Sequence, residues 1–245
     1  MRRLYGGPLG FHDGAVVANF VETLDGVVTI PGVPRSNAVV SGDSEADRFV
    51  VGLLRACARV VLVGAGTLRA SPRGAWQADS IYPDVAPAFA ELRRWRGLAE
   101  RADVAIVTSG RSLDPAHPVL EAGALVLTTG HAAAGLRTAL PGAAEVVAVN
   151  DGEAVDLAGA IAHLRDRGGG MILSEAGPTV FGQMVDARLV DELFLTVSPL
   201  VAGRSISARP SLAEGVELLP ERRDEATLLS VRRDESHLFL RYALH

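Results

Sequence analysis

The chain contains no lysine; all 24 of its basic residues are arginine. That absence removes Schiff-base lysine chemistry, the lysine of phosphate-binding loops and the Tyr/Lys pair of many short dehydrogenases. Cysteine is nearly absent too. The one thiol, Cys57, leaves no disulfide framework and no cysteine-based zinc site, and its place in an apparent helix reads as a small buried apolar residue in a reducing compartment. No uncharged apolar run reaches the ~18 residues needed to span a bilayer, and the opening MRRLYGGPLG carries two arginines without the apolar stretch of a secretion signal. Nor is there an excess of positive charge: the formal net charge is −5, which gives no electrostatic reason to bind nucleic acid. The absences together describe a soluble, cytoplasmic protein with no metal site and no nucleic-acid or membrane partner.

What is present is a long, apolar-rich chain. At 245 residues and 48% apolar composition it can bury a sizeable core, and it reads as one α/β domain over 1–245. The stretch Met171 to Val197 organises it: a short apolar run breaks at Ser174-Glu175-Ala176-Gly177, restarts as a helix at Pro178, and ends in a second apolar strand. Proline suits a first helical position, and Val180, Phe181, Met184 and Val185 recur at helical spacing. A glycine turn that opens a helix presents free backbone N–H groups and the positive end of the helix dipole, which suit a phosphate. Glu175, just past a strand end at the mouth of a parallel sheet, costs desolvation energy unless a ligand or partner satisfies it.

Gly14 to Phe20 reads as a buried strand leading into Val21 to Gly26 and then Val27 to Ile30. Asp25-Gly26 is either an ordinary hairpin tip or part of a site that gives Asn19, Thr23 and Asp25 to a ligand. Residues 31–40 read as loop. Ser41 to Ser44 offers N-cap residues for a helix whose face is Phe49, Leu53, Leu54 and Cys57, with Arg55 placed to clamp a phosphate if it lies near the sheet mouth. Val60 to Val63 is a strand that breaks at a Gly64-Ala65-Gly66-Thr67 turn; Arg69 occupies the sixth position of that turn, so it is not a dinucleotide fingerprint. Arg73 to Asp103 is less regular, with a helix from Pro87 to about Leu98 whose Arg93-Arg94-Trp95-Arg96 reads as a solvated face. Strands follow at 104–108, 125–129 and 146–149, with helices near 131–140 and 155–167. Two alternating runs, 226–232 and 236–242, joined by Arg233-Asp234-Glu235, read as an antiparallel hairpin at the edge of a mostly parallel sheet.

Three segments recur together in one family: Asn19 with Thr23-Leu24-Asp25-Gly26; Leu54-Arg55-Ala56 followed by Val63 to Ala70; and Ser174 to Thr179 with Val190-Asp191-Glu192-Leu193. In this order and spacing they resemble the pyrimidine reductase of riboflavin biosynthesis, whose fold is similar to dihydrofolate reductase. The resemblance implies an NADPH-dependent oxidoreductase acting on a phosphoribosylamino-pyrimidine, with hydride delivered to ribose C1 of the ring-opened imine. It places cofactor contacts on Gly64, Gly66, Thr67, Ser71, Ser109, Gly177, Pro178, Thr179, Val180, Phe181 and Gly182. Substrate contacts fall on Asn19, Thr23, Arg55 and Glu175, Asp25 and Glu175 are the candidates to pass a proton, and a homodimer is expected. One departure stands out: the family commonly carries an acidic residue where this chain has Ser71. That keeps two other readings open, a reductase of the same fold acting on a pterin or dihydrofolate, and a catalytically inactive nucleotide-binding protein.

Overall fold

The computed structural model describes residues 9–33, 35–110, 113–203 and 210–244; Pro34, Arg204 and the first eight residues of the irregular lead lie outside them. Nine strands form one sheet in the order β5-β4-β3-β2-β6-β1-β7-β9-β8. They are β1 Val16–Glu22, β2 Ala58–Gly64, β3 Asp103–Val107, β4 Leu125–Thr129, β5 Glu145–Asn150, β6 Met171–Ser174, β7 Glu192–Val197, β8 Thr227–Asp234 and β9 His237–Ala243. The first seven run parallel, and β9 pairs antiparallel with both β7 and β8. Parallel strands need crossovers, and the helices supply them.

The helices are α1 Ser36–Ser41, α2 Glu45–Cys57, α3 Ala65–Ala70, α4 Ala78–Ile81, α5 Ala86–Trp95, α6 Pro118–Glu121, α7 Gly130–Ala139, α8 Leu157–Asp166 and α9 Pro178–Asp186. From β1 to β5 the chain steps outward across the sheet with its helices on one face, where Leu54, Leu68, Phe89, Leu120 and Leu136 pack. After β5 it returns over the other face on α8 and α9, burying Ile161, Leu164, Phe181 and Met184, and inserts β6 between β2 and β1. Right-handed crossovers demand this change of face when the direction of winding reverses. The reversal leaves a crevice at the carboxyl ends of β2, β6 and β1, the place where open α/β sheets bind ligands.

Helix α2 shows how locally the sequence directs this. Ser44 caps its start by accepting from the Asp47 amide at 3.2 Å, Glu45 and Asp47 meet the positive end of the dipole, and Arg55 sits in the last turn. Val50, Leu53 and Leu54 are buried beneath it, each contributing about 1.5–3 kcal/mol by removal from water. Its far end is closed by Arg93, whose Nη1 donates to the carbonyls of Arg55, Ala56 and Ala58 at 3.0, 3.4 and 2.7 Å.

Arg93 is thus a correction to the expected solvated cluster: it is 4% exposed, while its neighbour Trp95 is 80% exposed. Two further expectations fail on backbone detail. The loop expected over 31–40 contains α1, and the turn after β2 is itself the short helix α3. The C-terminal hairpin forms as expected but turns on two residues: β8 reaches Asp234, which pairs with His237, and Glu235 takes the left-handed turn at φ 50°. Cys57 is buried, and among the described residues no helix is long and apolar enough to cross a membrane.

Candidate active site

The crevice rim is built from three turns. Gly64 ends β2 and leads into Gly66 and Thr67 at the start of α3; Ser109 follows β3; Glu175, Ala176 and Gly177 follow β6 and open α9. Because β2 and β6 are neighbours, the first and third turns touch although more than a hundred residues separate them in sequence. A Cβ built on Gly177 would lie 3.4 Å from Thr67 Oγ1, and one on Gly64 would lie 3.3 Å from a methyl of Val180. Both glycines leave open a cradle that side chains would fill. Gly177 caps α9 with no side-chain acceptor for the first-turn amides, and Pro178 occupies N1. The amides of Thr179 and Val180 therefore point out of the helix start with the dipole behind them, and the glycines and amides together fit a diphosphate.

The other expected cofactor residues divide by exposure. Ser109 is exposed at the rim one strand away, and Gly66 is exposed on α3. Phe181 and Gly182 lie inside: the Phe181 ring packs 4.8 Å from that of Phe20, and a Cβ on Gly182 would meet the Glu214 carbonyl oxygen at 2.6 Å. These two are packing residues, and the open part of the turn is Gly177 to Val180. Ser71 closes the far end of α3, where its amide donates to the Leu68 carbonyl and its own carbonyl accepts from Gly74 and His117. Its backbone is thereby fixed in the fold.

The substrate candidates lie below the turns on the α2 face. Arg55 and Glu175 find each other: Nε donates to Oε1 at 2.8 Å and Nη2 to Oε2 at 2.7 Å, with side chains only 11% and 12% exposed. A third donor, Nη1, reaches the Gln77 carbonyl at 3.3 Å. The carboxylate at the sheet mouth is therefore satisfied by a partner within the chain, in the two-pronged geometry that only arginine offers. Asn19 lies on β1 beside this pair, level with Phe194 on β7, and its amide takes no partner among the described residues.

Thr23 and Asp25 bond to one another and to neighbouring backbone. Thr23 is 3% exposed; its hydroxyl donates to Asp25 and accepts from the Val27 amide, closing the turn after β1. The Asp25 carboxylate also accepts from the amides of Ala202 and Gly203, both at 3.0 Å, stapling that loop to the turn. The Thr23 hydroxyl and the two amides hold Asp25 well below the ordinary carboxylate range, so it stays an anion. Its geometry is that of a structural tie.

Sequence reasoning passed over one residue entirely. Asp47, in the first turn of α2, is 8% exposed and lies two turns from Arg55 on the same stripe of the helix. Burial pushes its carboxyl up to about 6, opposed by a hydrogen bond from Thr196 of β7 and by the charges of His237 and Arg48, and reinforced by repulsion from Glu175. The i, i+8 spacing to Arg55 was the available signal; it was hidden because an acidic residue in a first turn is ordinary helix chemistry.

The comparisons agree with this geometry. The family model described as the RibD C-terminal domain matches residues 15–234. A pyrimidine reductase-like protein from Corynebacterium diphtheriae superimposes with a TM-score of 0.74 at 20% identity, covering 100% of this chain and 98% of its own. RibD of Acinetobacter baumannii gives 0.71 at 18% identity, covering 94% of this chain and 58% of its own. A deaminase/5-amino-6-(5-phosphoribosylamino)uracil reductase from Thermotoga maritima gives 0.65 at 19% identity, covering 94% and 56%. The chain thus spans little more than half the length of these last two. No curated protein matches it in sequence. With nearly the whole chain matched by one model, the chain belongs to the RibD C-terminal domain family, the reductases of riboflavin biosynthesis.

Proposed function

We propose that the chain is the NADPH-dependent reductase that converts 5-amino-6-(5-phosphoribosylamino)uracil to its ribitylamino form. The observation that carries this reading is the contact between the Thr67 and Gly177 turns at the point where the sheet reverses its winding. Two loops presented from opposite faces of the sheet can there hold one extended dinucleotide. Bound in that crevice, the dinucleotide supplies hydride. The amides of Thr179 and Val180 take its diphosphate, and Gly64 and Gly177 allow it to approach the backbone closely. Thr67 and Ser109 offer hydroxyls along the rim.

The substrate side is polar but internally braced. Asn19 presents both a donor and acceptors, matching the edge of a pyrimidine ring. The Arg55–Glu175 pair holds its members rigid, so each can face a sugar or phosphate oxygen without reorganising. Hydride transfer asks the protein chiefly to align two bound molecules and exclude water, and this crevice is arranged for alignment. The Thermotoga relative, named for this reaction, supports the choice of substrate.

The test is oxidation of NADPH followed with the deaminated pathway intermediate and, separately, with dihydrofolate. Turnover with the first alone is expected; turnover with dihydrofolate alone overturns the assignment. Glu175→Gln should lower turnover by more than about tenfold, and unchanged kinetics would remove Glu175 from the site.

A further inference from the structure

The contacts around the crevice close into a ring. Thr67 on α3 faces Gly177, where a Cβ would lie 3.4 Å from its hydroxyl; Glu175, two residues earlier, holds Arg55; and Arg55 Nη1 reaches the Gln77 carbonyl. From Gln77 the chain runs back to Ser71, whose amide closes α3 on the Leu68 carbonyl. The arc 71–77 thus joins the end of the dinucleotide-facing helix to the carbonyl behind the substrate-facing arginine. It is the longest part of the ring with no helix or strand to stiffen it.

The arc is strained and held from outside. Trp76 takes φ 50°, a left-handed conformation that is unfavourable for a bulky side chain and persists only where the surroundings impose it. Its ring is 4% exposed and stacks on the His117 imidazole, centroids 6.0 Å apart. A Cβ on Gly74 would lie 2.7 Å from the indole, so the arc folds over that ring because residue 74 is glycine. His117 itself is 3% exposed and uses both ring nitrogens. Nδ1 accepts from the Val119 amide at 3.3 Å, capping α6; this leaves the proton on Nε2, which donates to the Ser71 carbonyl at 3.0 Å. At the other end, the Gln77 side chain exchanges two hydrogen bonds with the Ala102 backbone, at 3.0 and 3.1 Å. One buried histidine therefore grips the arc at both Ser71 and Trp76.

We propose that His117 is a positioning residue for hydride transfer: through Ser71 and Trp76 it fixes the 71–77 arc, and thereby the placement of the Thr67 turn relative to Arg55. This role deepens the reductase reading and rests on it. In that reading the diphosphate sits on the amides of Thr179 and Val180, and the Arg55–Glu175 pair keeps its own bonds. Loosening the arc therefore leaves binding in place and degrades alignment. Hydride transfer depends on alignment, and a misplacement of ~1 Å can slow a reaction about a hundredfold.

Two replacements separate the tie from the cap. The side-chain oxygen of asparagine stands near the position of Nδ1, so His117→Asn keeps the α6 cap and loses Ser71 and the stack. The amide nitrogen of glutamine reaches toward the position of Nε2, so His117→Gln keeps the Ser71 bond and loses the cap. In single turnovers with NADPH and the uracil intermediate, His117→Asn should slow hydride transfer by at least about fivefold, with dinucleotide affinity within about threefold of wild type, and His117→Gln should recover most of the rate. In a Trp95→Phe protein, where Trp76 is the one remaining tryptophan, His117→Asn should also move the emission to longer wavelength. A His117→Asn protein that does not fold, that loses less than about fivefold in rate, or that slows with the Trp76 emission unmoved overturns the proposal, as does a His117→Gln protein slower than His117→Asn. If the wild-type chain oxidises no dinucleotide with the uracil intermediate, the reductase reading falls and the positioning role with it, while the Trp76 emission, which needs no turnover, still shows whether His117 holds the arc.

Discussion

At the scale of single residues, two carboxyl groups on the α2 face have opposite energetics. Asp47 binds its proton more tightly folded than unfolded, so its burial costs nothing at low pH and destabilises the fold as pH rises from about 4 to about 6. A shift of this size corresponds to about 3 kcal/mol at neutrality. Asp47→Asn keeps an acceptor for Thr196 and removes the charge. Its denaturation midpoint should therefore exceed that of the wild type at pH 7 and match it near pH 4; a pH-independent difference would contradict this assignment. Glu175 and Arg55 are the reverse case. Glu175→Gln leaves a guanidinium 11% exposed facing a neutral amide, which should cost about 3 kcal/mol in urea unfolding. The double replacement Arg55→Met with Glu175→Leu should recover most of that stability while leaving the protein inactive, because an apolar pair of similar volume fills the same space.

At the scale of elements, the segment around Glu214 is the tie between the site and the rest of the chain. The Glu214 amide donates to the Pro178 carbonyl at 3.1 Å, and its backbone lies directly over Gly182. Gly182→Ala puts a methyl 2.6 Å from a backbone oxygen, and since backbone cannot swing aside as a flexible side chain can, α9 and this segment must separate. A loss of about 1–3 kcal/mol is expected, with weaker dinucleotide binding because the helix start moves; calorimetry on the variant checks both. Elements were also the level at which the sequence was most readable. Val60 to Val63 and Leu125 to Thr129 announced themselves as continuous apolar runs, as strands buried on both faces do. What escaped was set by tertiary contacts. Arg93 looks like surface charge until the open carbonyls at the end of α2 are seen beneath it, and Asp25 looks like a ligand group until residues 202–203, far along the chain, arrive at its oxygens. The Thr67 and Gly177 turns were legible one at a time, but their contact follows from strand order, which no local pattern encodes.

At the scale of the whole molecule, β8 is the sheet's outer edge, and it exposes Leu228, Leu229 and Val231. An exposed apolar edge of this kind invites pairing with another copy. Light scattering should return twice the 25.7 kDa chain mass, and Val231→Glu with Leu229→Glu should return the single value; a wild-type monomer would refute the homodimer.

The position of β1 has a consequence for how the protein is made. Both of its sheet neighbours, β6 and β7, are encoded late, and about 150 residues separate Glu22 from Met171. At translation speeds of ~5–20 residues per second, this central strand is made roughly eight to thirty seconds before either neighbour exists. During that interval Val16, Val17 and Ala18 have no strand on either side to pair with, and the sheet around β1 must wait for β6 and β7. Nascent chains stalled before Met171 should accordingly be cut by protease within β1, and those stalled beyond Ala243 should be resistant.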